Sequence, residues 1–311
     1  MFLRKLDARS RKRWREALLA GERIEAEAAL FGAELEGWAP LVDVLDGAPT
    51  AEEAPAGEGV TVVIPALRVP IGVEGWLKDP AVTQLLILAN GSFPEWSHPD
   101  PRVRVQRVAW EGHGRTRQRA LTQVTTEYVL YSVEDALPRG TPAGWLREGL
   151  GDFAAVSGRQ LPWPDSDTES CRRLWAWTPP GEAPQPALPH PVGGWRHDHV
   201  LALYRTETLR QRPLPEVAIA EDWHWAREAA VGYCPRARVV HAHTREFWAL
   251  YRRTRDTHRE FCRAGYAPMV PDLRRFVQGI PGNLGSDWRG GLGELLGQWV
   301  AGRGTGPYLP K

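Results

Sequence analysis

Residues 83–89 read Thr-Gln-Leu-Leu-Ile-Leu-Ala and run into the turn sequence Asn90-Gly91-Ser92. A short, nearly continuous apolar run bounded by turn residues is typical of a strand buried in a parallel sheet. Runs of the same type recur at Val60–Pro65, Val103–Val108 and Glu127–Ser132. Residues 114–124 predict a helix between the last two. Strand and helix signals that alternate at this spacing predict an α/β fold, with a mostly parallel central sheet flanked by helices.

The residues directly after the predicted strands are the first candidates for ligand binding. In open α/β sheets, ligands bind outside the carboxyl ends of the strands. The candidates at these positions are Pro65, Ala66, Asn90, Gly91, Val133, Glu134 and Asp135. We therefore expect the functional groups of the chain to include these residues.

The composition narrows the class of protein. The 311 residues carry 39 basic and 38 acidic side chains, so a chain-wide nucleic-acid surface is not expected. Three cysteines, Cys171, Cys234 and Cys262, form no Cys-x-x-Cys pair. This spacing predicts reduced thiols in a cytoplasmic protein, and neither a zinc ribbon nor a disulfide framework. The sequence predicts no secretory signal and no membrane span.

Three parts are expected along the chain. Residues 1–58 predict a helical extension and a linker, residues 59–260 the main domain, and residues 261–311 a C-terminal helical tail. The extension is basic and then acidic, which fits either a helix at the inner face of a membrane or two solvated helices that fold back on each other. Its modest apolar stripe favours the second interpretation. Residues 179–194 form a proline-rich loop, either a mobile lid or a surface loop.

An acidic pair, Glu134-Asp135, ends the fourth predicted strand. Two carboxylates at a strand end can hold a hard divalent cation such as Mn²⁺ or Mg²⁺, which bridges phosphate oxygens. Acidic residues are also common in turns, so the pair alone is a weak signal. His241 and His243 strengthen it, because they follow a short predicted strand at Ala237–Val240 and lie on one side of it by alternation. One of these histidines is therefore expected to be a metal ligand.

A second acidic pair, Glu221-Asp222, opens a predicted helix with the sequence Glu-Asp-Trp-His-Trp-Ala. Acids in a first turn also suit the positive end of a helix dipole. Transfer of a sugar from a nucleotide donor needs a base for the acceptor hydroxyl and a positive charge for the departing diphosphate. Asp222 is the candidate base. Trp223 is a candidate acceptor contact, because indoles stack on sugar faces.

Several arginines are candidate contacts to phosphate or acceptor. Arg117 lies in Gly-His-Gly-Arg-Thr-Arg-Gln-Arg, where a helix N-terminus and guanidinium groups together favour a diphosphate. For this segment alone, a solvated basic helix face is the better explanation. The further candidates are Arg159, Arg252 and Arg253.

Together these motifs resemble a family 2 inverting glycosyltransferase with the A-type nucleotide-sugar transferase fold. The resemblance covers residues 59 to about 260. The segments similar to the family's first two strands and its arginine-bearing helix are VTVVIPALRVP (60–70), LLILANGS (85–92) and RTRQRAL (115–121). Those similar to its metal-binding strand end, catalytic acid helix and closing histidine are YSVEDALP (131–138), AEDWHWA (220–226) and VVHAH (239–243). Rhamnosyltransferase-like variants are the most similar, through EDALP (134–138) and GRQLP (158–162).

The resemblance implies a metal-dependent enzyme that moves a sugar from a nucleotide-diphosphate donor to a hydroxyl acceptor with inversion. The implied ligands of Mn²⁺ or Mg²⁺ are Asp135, Glu134 and either His241 or His243. Glu221 and Asp222 would be the catalytic acidic pair. The implied nucleotide contacts are Pro65, Ala66, Asn90, Gly91, Arg117 and Val133. The implied sugar is a deoxyhexose such as rhamnose, and the implied acceptor is a growing polysaccharide or a lipid-linked sugar.

The chain also departs from the family's pattern. Ala89 stands where the family has an aspartate that contacts the base, and Gln118 and Ala120 replace an asparagine and a glycine. These changes keep open a catalytically silent sugar- or nucleotide-binding protein of the same fold. A nucleotidyltransferase of similar architecture is less favoured. It would need a glycine-rich, lysine-containing loop after the first strand, where this chain offers only Arg68.

Overall fold

The computed structural model describes residues 59–163, 174, 178–179, 181–190, 193–241, 247–265 and 296. The described residues up to 241 belong to one compact unit, and those from 247 onward belong to a second. His243, the predicted extension at 1–58 and most of the predicted tail at 261–311 lie outside the described residues. None of the helices in the described ranges is both long and apolar enough to pass through a membrane.

The described part of the chain contains nine strands and six helices. The strands are β1 (Val60–Ala66), β2 (Val82–Ala89), β3 (Val103–Arg107), β4 (Tyr128–Ser132), β5 (Leu137–Arg139), β6 (Ala155–Leu161), β7 (Gln185–Pro186), β8 (Leu201–Arg205) and β9 (Val231–Val240). The helices are α1 (Val73–Leu77), α2 (His113–Ala120), α3 (Pro142–Leu150), α4 (Thr206–Gln211), α5 (Glu221–Ala226) and α6 (Phe247–Arg263).

The strands form one sheet in the order β3-β2-β1-β4-β8-β6-β9-β5, and β7 pairs with β9. Strands β3, β2, β1 and β4 are parallel, and so are β6 and β9, whereas β8 is antiparallel to both of its neighbours. Two antiparallel steps restore the direction, so β6 and β9 run the same way as β4. The carboxyl ends of β1, β2, β4, β6 and β9 therefore lie along one edge, which we call the carboxyl edge.

Burial on both faces explains the continuous apolar runs of β1 and β2. Val62 and Ile64 pack into the core on one face of the sheet, and Val63 packs into the core on the other. In β2, Ile87 and Leu88 divide between the same two cores, and both are fully buried. Neither face needs polar residues, so alternation is absent from the sequence.

Strand β9 begins earlier than predicted, at Val231 instead of Ala237. The prediction took Gly232 as a helix break. In the structure Gly232 lies in the strand, where a Cβ atom would come within 2.4 Å of the Phe153 ring. Pro235 lies at an irregularity in the pairing with β6. Glycine at a close approach and proline at a bulge are both compatible with a strand, which explains the error.

The described part of the proline-rich loop is anchored to the sheet. Gln185–Pro186 forms β7 on β9, and Pro189 pairs with Trp195 in an isolated bridge. The Ala187 amide donates to the Val231 carbonyl at 2.9 Å. The sequence left a mobile lid and a surface loop open, and these backbone hydrogen bonds hold Gln185, Pro186 and Ala187 against the sheet.

Candidate active site

Asp135 and His241 meet at the carboxyl edge. Asp135 follows β4 and His241 follows β9, and His241 Nε2 lies 3.6 Å from Asp135 Oδ1. The imidazole is buried, with 1% of the side chain exposed, whereas the carboxyl group is 42% exposed. The structure thus brings together two residues that the sequence predicted for one metal site.

Gln160, at the end of β6, orients the His241 ring. Gln160 Nε2 donates to Asp198 Oδ2 at 2.5 Å, so the amide oxygen is directed at His241 Nδ1, 2.9 Å away. This network assigns the ring proton to Nδ1 and the lone pair to Nε2. An imidazole held in this way by a neighbour on one nitrogen is the form that binds a metal through the other.

The pair fits a small divalent cation. Two donor atoms 3.6 Å apart can both lie about 2.1 Å from one ion, the distance that Mg²⁺ prefers. The partly exposed Asp135 carboxylate also leaves room for the water and phosphate oxygens that such cations retain. Asp135 and His241 are therefore the described residues best suited to hold Mn²⁺ or Mg²⁺.

Glu134 contacts the loop after β1. Its Oε2 accepts the backbone N–H groups of Leu67 and Arg68 at 2.5 and 3.0 Å. Its Oε1 accepts from Nε and Nη2 of the Arg68 guanidinium, at 2.9 and 2.8 Å. This charge-assisted contact, together with the two backbone N–H donors, holds the loop. The structure therefore gives Glu134 a partner in the loop, where the sequence predicted a metal ligand.

The predicted nucleotide-binding positions adjoin one another. Ala66 and Ala89 are parallel register partners, and the Asn90 amide donates to the Ala66 carbonyl at 2.8 Å. Asn90 is 2% exposed and donates its side-chain amide to Leu88. Its Oδ1 accepts no hydrogen bond from the described part of the chain. Pro65 and Val133 are half-buried, and Gly91 is exposed in the turn.

Asp222 lies in the first turn of α5, after a residue with a rare backbone conformation. Ala220 has a φ of +65°, in the left-handed region that non-glycine residues seldom adopt. The Trp223 N–H donates to Asp222 Oδ1 at 2.8 Å. Burial, and then the negative charge of Glu221, raise the pKa of Asp222. A carboxylate with a raised pKa is a stronger base, which suits proton abstraction.

Glu221 and Arg117 form a buried ion pair. Arg117 Nη1 donates to Glu221 Oε1 at 2.7 Å, and both side chains are 4% exposed. His199 Nδ1 lies 2.9 Å from the same oxygen. The sequence predicted Arg117 at the nucleotide and Glu221 in the catalytic pair. The structure encloses both groups, and their contact joins α2 to α5. It thereby holds the first turn of α5, which carries Asp222.

Two histidines that the sequence analysis did not single out complete this enclosed network. Tyr204 OH lies 2.5 Å from His197 Nε2 and 2.7 Å from His199 Nε2. His197 Nδ1 lies 2.5 Å from Ser157 Oγ. Burial lowers the pKa of both histidines well below 6.5, so both are neutral at physiological pH. We call Arg117, His197, His199, Tyr204 and Glu221 the buried cluster.

Asp198 contacts Gln160 and lies near the charge of Asp222. It accepts hydrogen bonds from Gln160 Nε2 and from the Val200 amide. Burial raises the pKa of Asp198 to about 7, and the nearby charge of Asp222 adds to the shift. Asp198 was missed because a loop acid has no periodicity. The available signal was the triplet His197-Asp198-His199, three polar residues directly before β8.

A second group of possible metal donors combines two residues of the buried cluster with Asp222. Donor atoms of His199, Glu221 and Asp222 all lie within 4.8 Å of one another. The Arg117 guanidinium already lies 2.7 Å from Glu221 Oε1, however, and would repel a cation there. This group therefore suits a cation less well than Asp135 and His241 do.

The four residues predicted to contact phosphate or acceptor lie in different parts of the structure. Trp223 is 3% exposed, and its indole N–H donates to the Gly193 carbonyl at 3.0 Å. Arg159 lies on β6, with its guanidinium bound to Glu182 at 3.1 Å. Arg252 and Arg253 lie on α6 in the second compact unit, so their predicted contacts stay predictions.

No protein-family model and no curated protein sequence matches the chain. Its fold is similar to solved structures, among them the mannosyltransferase PcManGT from Pyrobaculum calidifontis in complex with GDP-Man and Mn²⁺. That likeness has 16% identity and a TM-score of 0.53, and it covers 94% of this chain and 100% of that one. TarS 1–349 from S. aureus in complex with UDP is 14% identical, with 63% of each chain covered and a TM-score of 0.42.

GalNAc-T7 with UDP, GalNAc and Mn²⁺ is 11% identical, with a TM-score of 0.43. That match covers 59% of this chain and 44% of the other, so the chain spans less than half the length of GalNAc-T7. At such identities a likeness establishes the fold alone, and the mannosyltransferase, with its TM-score of 0.53, is the structure that supports it. The predicted fold class is confirmed: the chain has a mixed α/β architecture with a large central sheet, the A-type glycosyltransferase fold.

Proposed function

We propose that this chain is a metal-assisted glycosyltransferase that moves a sugar from a nucleotide-diphosphate donor to a hydroxyl acceptor. The observation that carries the proposal is a series of contacts along the carboxyl edge. Asp135 faces His241, Gln160 joins His241 to Asp198, and Asp198 lies within electrostatic reach of Asp222. These contacts support the assignment of the proposed cation ligands and the candidate base to one site.

Asp222 acts as the general base in this proposal. The acceptor hydroxyl oxygen attacks the anomeric carbon, and its proton passes to the Asp222 carboxylate. The bond from the anomeric carbon to the diphosphate breaks as the new glycosidic bond forms, and the nucleoside diphosphate leaves. A single displacement of this kind inverts the configuration at the anomeric carbon. The raised pKa of Asp222 supports the assignment.

Asp135 and His241 would hold the divalent cation. When bound there, the cation neutralises negative charge on the departing diphosphate. Gln160 keeps the His241 lone pair on Nε2, and the exposed Asp135 carboxylate faces the solvent side of the edge. Glu134 instead fixes the loop after β1 through Arg68.

The Arg117–Glu221 pair is a positioning device in this proposal. Both groups are enclosed, so neither is free to touch a ligand, and their contact joins α2 to the first turn of α5. Separating the two groups would leave an uncompensated buried charge, which is costly. The intact pair therefore favours one arrangement of the two helices. Asp222 is thereby held in place next to Glu221.

The donor sugar and the acceptor are proposed more narrowly from motif resemblance. EDALP and GRQLP support a deoxyhexose such as rhamnose, transferred to a polysaccharide or lipid-linked acceptor. PcManGT was solved with GDP-Man and TarS with UDP, so guanosine, uridine and thymidine donors all merit testing. The anomeric configuration of the product, read by NMR, tests inversion.

Donor hydrolysis tests the proposal before the acceptor is known. We expect the wild type to release nucleoside diphosphate from at least one nucleotide sugar, with Mn²⁺ present and not with chelator. We expect the Asp222→Asn variant to bind that donor and release nothing. Donor binding without turnover in the wild type, for every donor tried, would support the catalytically silent alternative. No nucleotide binding at all would contradict both.

A further inference from the structure

Two arginines lie side by side beneath the proline-rich loop. Arg159 on β6 and Arg238 on β9 are register partners across parallel strands. The pairing shifts from Gly158–Cys234 directly to Arg159–Arg238, so the irregularity in β9 aligns the two arginines. Their side chains are only 10% and 7% exposed. Enclosing two like charges in contact is costly unless an anion lies between them.

The anion in this structure is Glu182. Its Oε1 lies 3.1 Å from Arg159 Nη1, and its Oε2 lies 3.0 Å from Arg238 Nη2. The Glu182 side chain is 55% exposed, so it reaches enclosed arginines from the solvent side. Arg159 Nη2 also donates to the Gly181 carbonyl, and Arg159 Nε finds no acceptor in the described part of the chain.

The arginine pair adjoins the candidate active site. Tyr233 on β9 and Gly158, the neighbour of Arg159 on β6, line a small cleft of about 30 Å³. Gln160 and Asp198 line the same cleft. The cleft therefore adjoins both Asp198 and the stretch of β6 that carries Arg159.

We infer that Arg159 and Arg238 form a subsite for the phosphate ester group of a phosphorylated acceptor, and that Glu182 occupies it until such a ligand binds. The inference rests on the proposed function. A phosphate suits the pair better than a second carboxylate. It offers three or four oxygens and up to two negative charges to two guanidinium forks, which bind phosphate in bidentate fashion. Glu182 competes with the phosphate for the subsite. The measured phosphate affinity is therefore the intrinsic affinity multiplied by the fraction of time for which Glu182 leaves the subsite free.

Calorimetry on the full chain tests the subsite, with a nucleoside diphosphate and Mn²⁺ in excess to fill the donor side. The probes are a hexose 1-phosphate, the same hexose without phosphate, and farnesyl diphosphate as a soluble mimic of a lipid carrier. We expect Glu182→Gln to tighten binding of the phosphorylated probes roughly tenfold, since a charged competitor is removed. The unphosphorylated hexose should show no change. Preference between the two phosphorylated probes distinguishes a saccharide phosphate from a lipid diphosphate.

Charge-matched variants guard against unspecific effects. The double variant Glu182→Gln/Arg238→Gln should lose at least the phosphate affinity that Glu182→Gln gains. The double variant Glu182→Gln/Arg238→Lys, which keeps the positive charge, should retain part of that gain. The control is Glu216→Gln, which removes a similarly exposed glutamate from a salt bridge with Arg115. Unchanged phosphate affinity in Glu182→Gln, or equal gains in Glu216→Gln, would overturn the inference. Mn²⁺-dependent nucleotide binding and donor hydrolysis do not involve the acceptor, so their failure would identify failure of the proposed function itself.

Discussion

The carboxyl edge and the buried cluster place charged groups in opposite environments. At the edge, Asp135 is 42% exposed and Arg68 is 76% exposed, so water and ligands share their charges. In the cluster, Arg117 and Glu221 are each 4% exposed and form an ion pair with each other, beside the Asp222 carboxyl group and neutral side chains. Charges at an open edge are available for binding, whereas enclosed charges hold a structure in place.

The largest effect should come from the residue that links the two regions. We predict that Asp222→Asn lowers transfer or donor hydrolysis roughly 10³-fold, because a general base contributes about that much to a rate. Donor affinity, measured by calorimetry, should change little, since only the base is removed. Glu228→Gln, on an exposed side chain near α5, is the control and should keep full activity. Equal losses of binding and turnover would instead assign Asp222 a structural role.

The removal of one ion-pair partner in each region shows how much an enclosed pair and an exposed pair each contribute to stability. Arg117→Met leaves the Glu221 charge enclosed without a partner, and we expect the free energy of unfolding to fall by about 3 kcal/mol. Arg68→Met removes an exposed cation from Glu134, and we expect a loss of less than about 1 kcal/mol. Urea denaturation of both variants is the measurement. Similar losses in the two variants would remove the distinction between the regions.

Metal dependence should follow Asp135 and not Glu134. We predict that Asp135→Ala weakens nucleoside diphosphate binding roughly tenfold in the presence of Mn²⁺ and abolishes the effect of the ion. Glu134→Gln should keep the Mn²⁺ effect, because its carboxylate is directed at Arg68 and the loop after β1. Thermal shift with and without Mn²⁺ reads both variants. A loss of Mn²⁺ dependence only in Glu134→Gln would reverse the assignment.

The free energy of unfolding should also depend on pH, through the enclosed ionisable groups. Asp198 has a folded pKa of about 7, above its ordinary 3.8, so it contributes stability at low pH that is lost as the pH rises toward 7. His197 and His199, with pKa values below 6.5, do the opposite and cost stability as the pH falls below 6.5. The two contributions oppose each other below pH 6.5, where the unfolded histidines take up protons.

Asp198→Asn removes only the first contribution. Its free energy of unfolding should therefore fall more steeply than that of the wild type on acidification from about pH 7 to 5, by up to about 1.4 kcal/mol per pH unit. Asp100→Asn is the control, because Arg102 holds the pKa of Asp100 at about 2 and its contribution changes only at lower pH. Parallel stability profiles for wild type and Asp198→Asn would contradict the raised pKa.

The edge was more predictable from the sequence than the cluster was. A continuous apolar run, as in β2, indicates a strand buried in a parallel sheet. Such a sheet places the carboxyl ends of its parallel strands side by side. Asp135 and His241 could be paired in this way. The partner of Arg117, in contrast, depends on how α2 and α5 pack, and nothing local in the sequence identifies Glu221 as that partner.

The same physical reason explains the other differences. Glu134 is a carboxylate at a strand end and therefore suits a metal ligand from sequence alone. Only the fold of the loop after β1 brings Arg68 to its carboxylate. Gly232 and Pro235 disfavour a strand locally, and packing against Phe153 and a bulge opposite β6 override that preference. Asp198 lies in a loop, where no periodicity reveals which residues are enclosed.

The location of the bound cation tests the central claim most directly. Crystals of the full chain grown with Mn²⁺ and a nucleoside diphosphate should give an anomalous manganese peak between Asp135 and His241, beside the diphosphate. A peak within the His199, Glu221 and Asp222 group would contradict the assignment of both the metal site and the base. So would a nucleotide bound at the carboxyl edge with no manganese peak near Asp135.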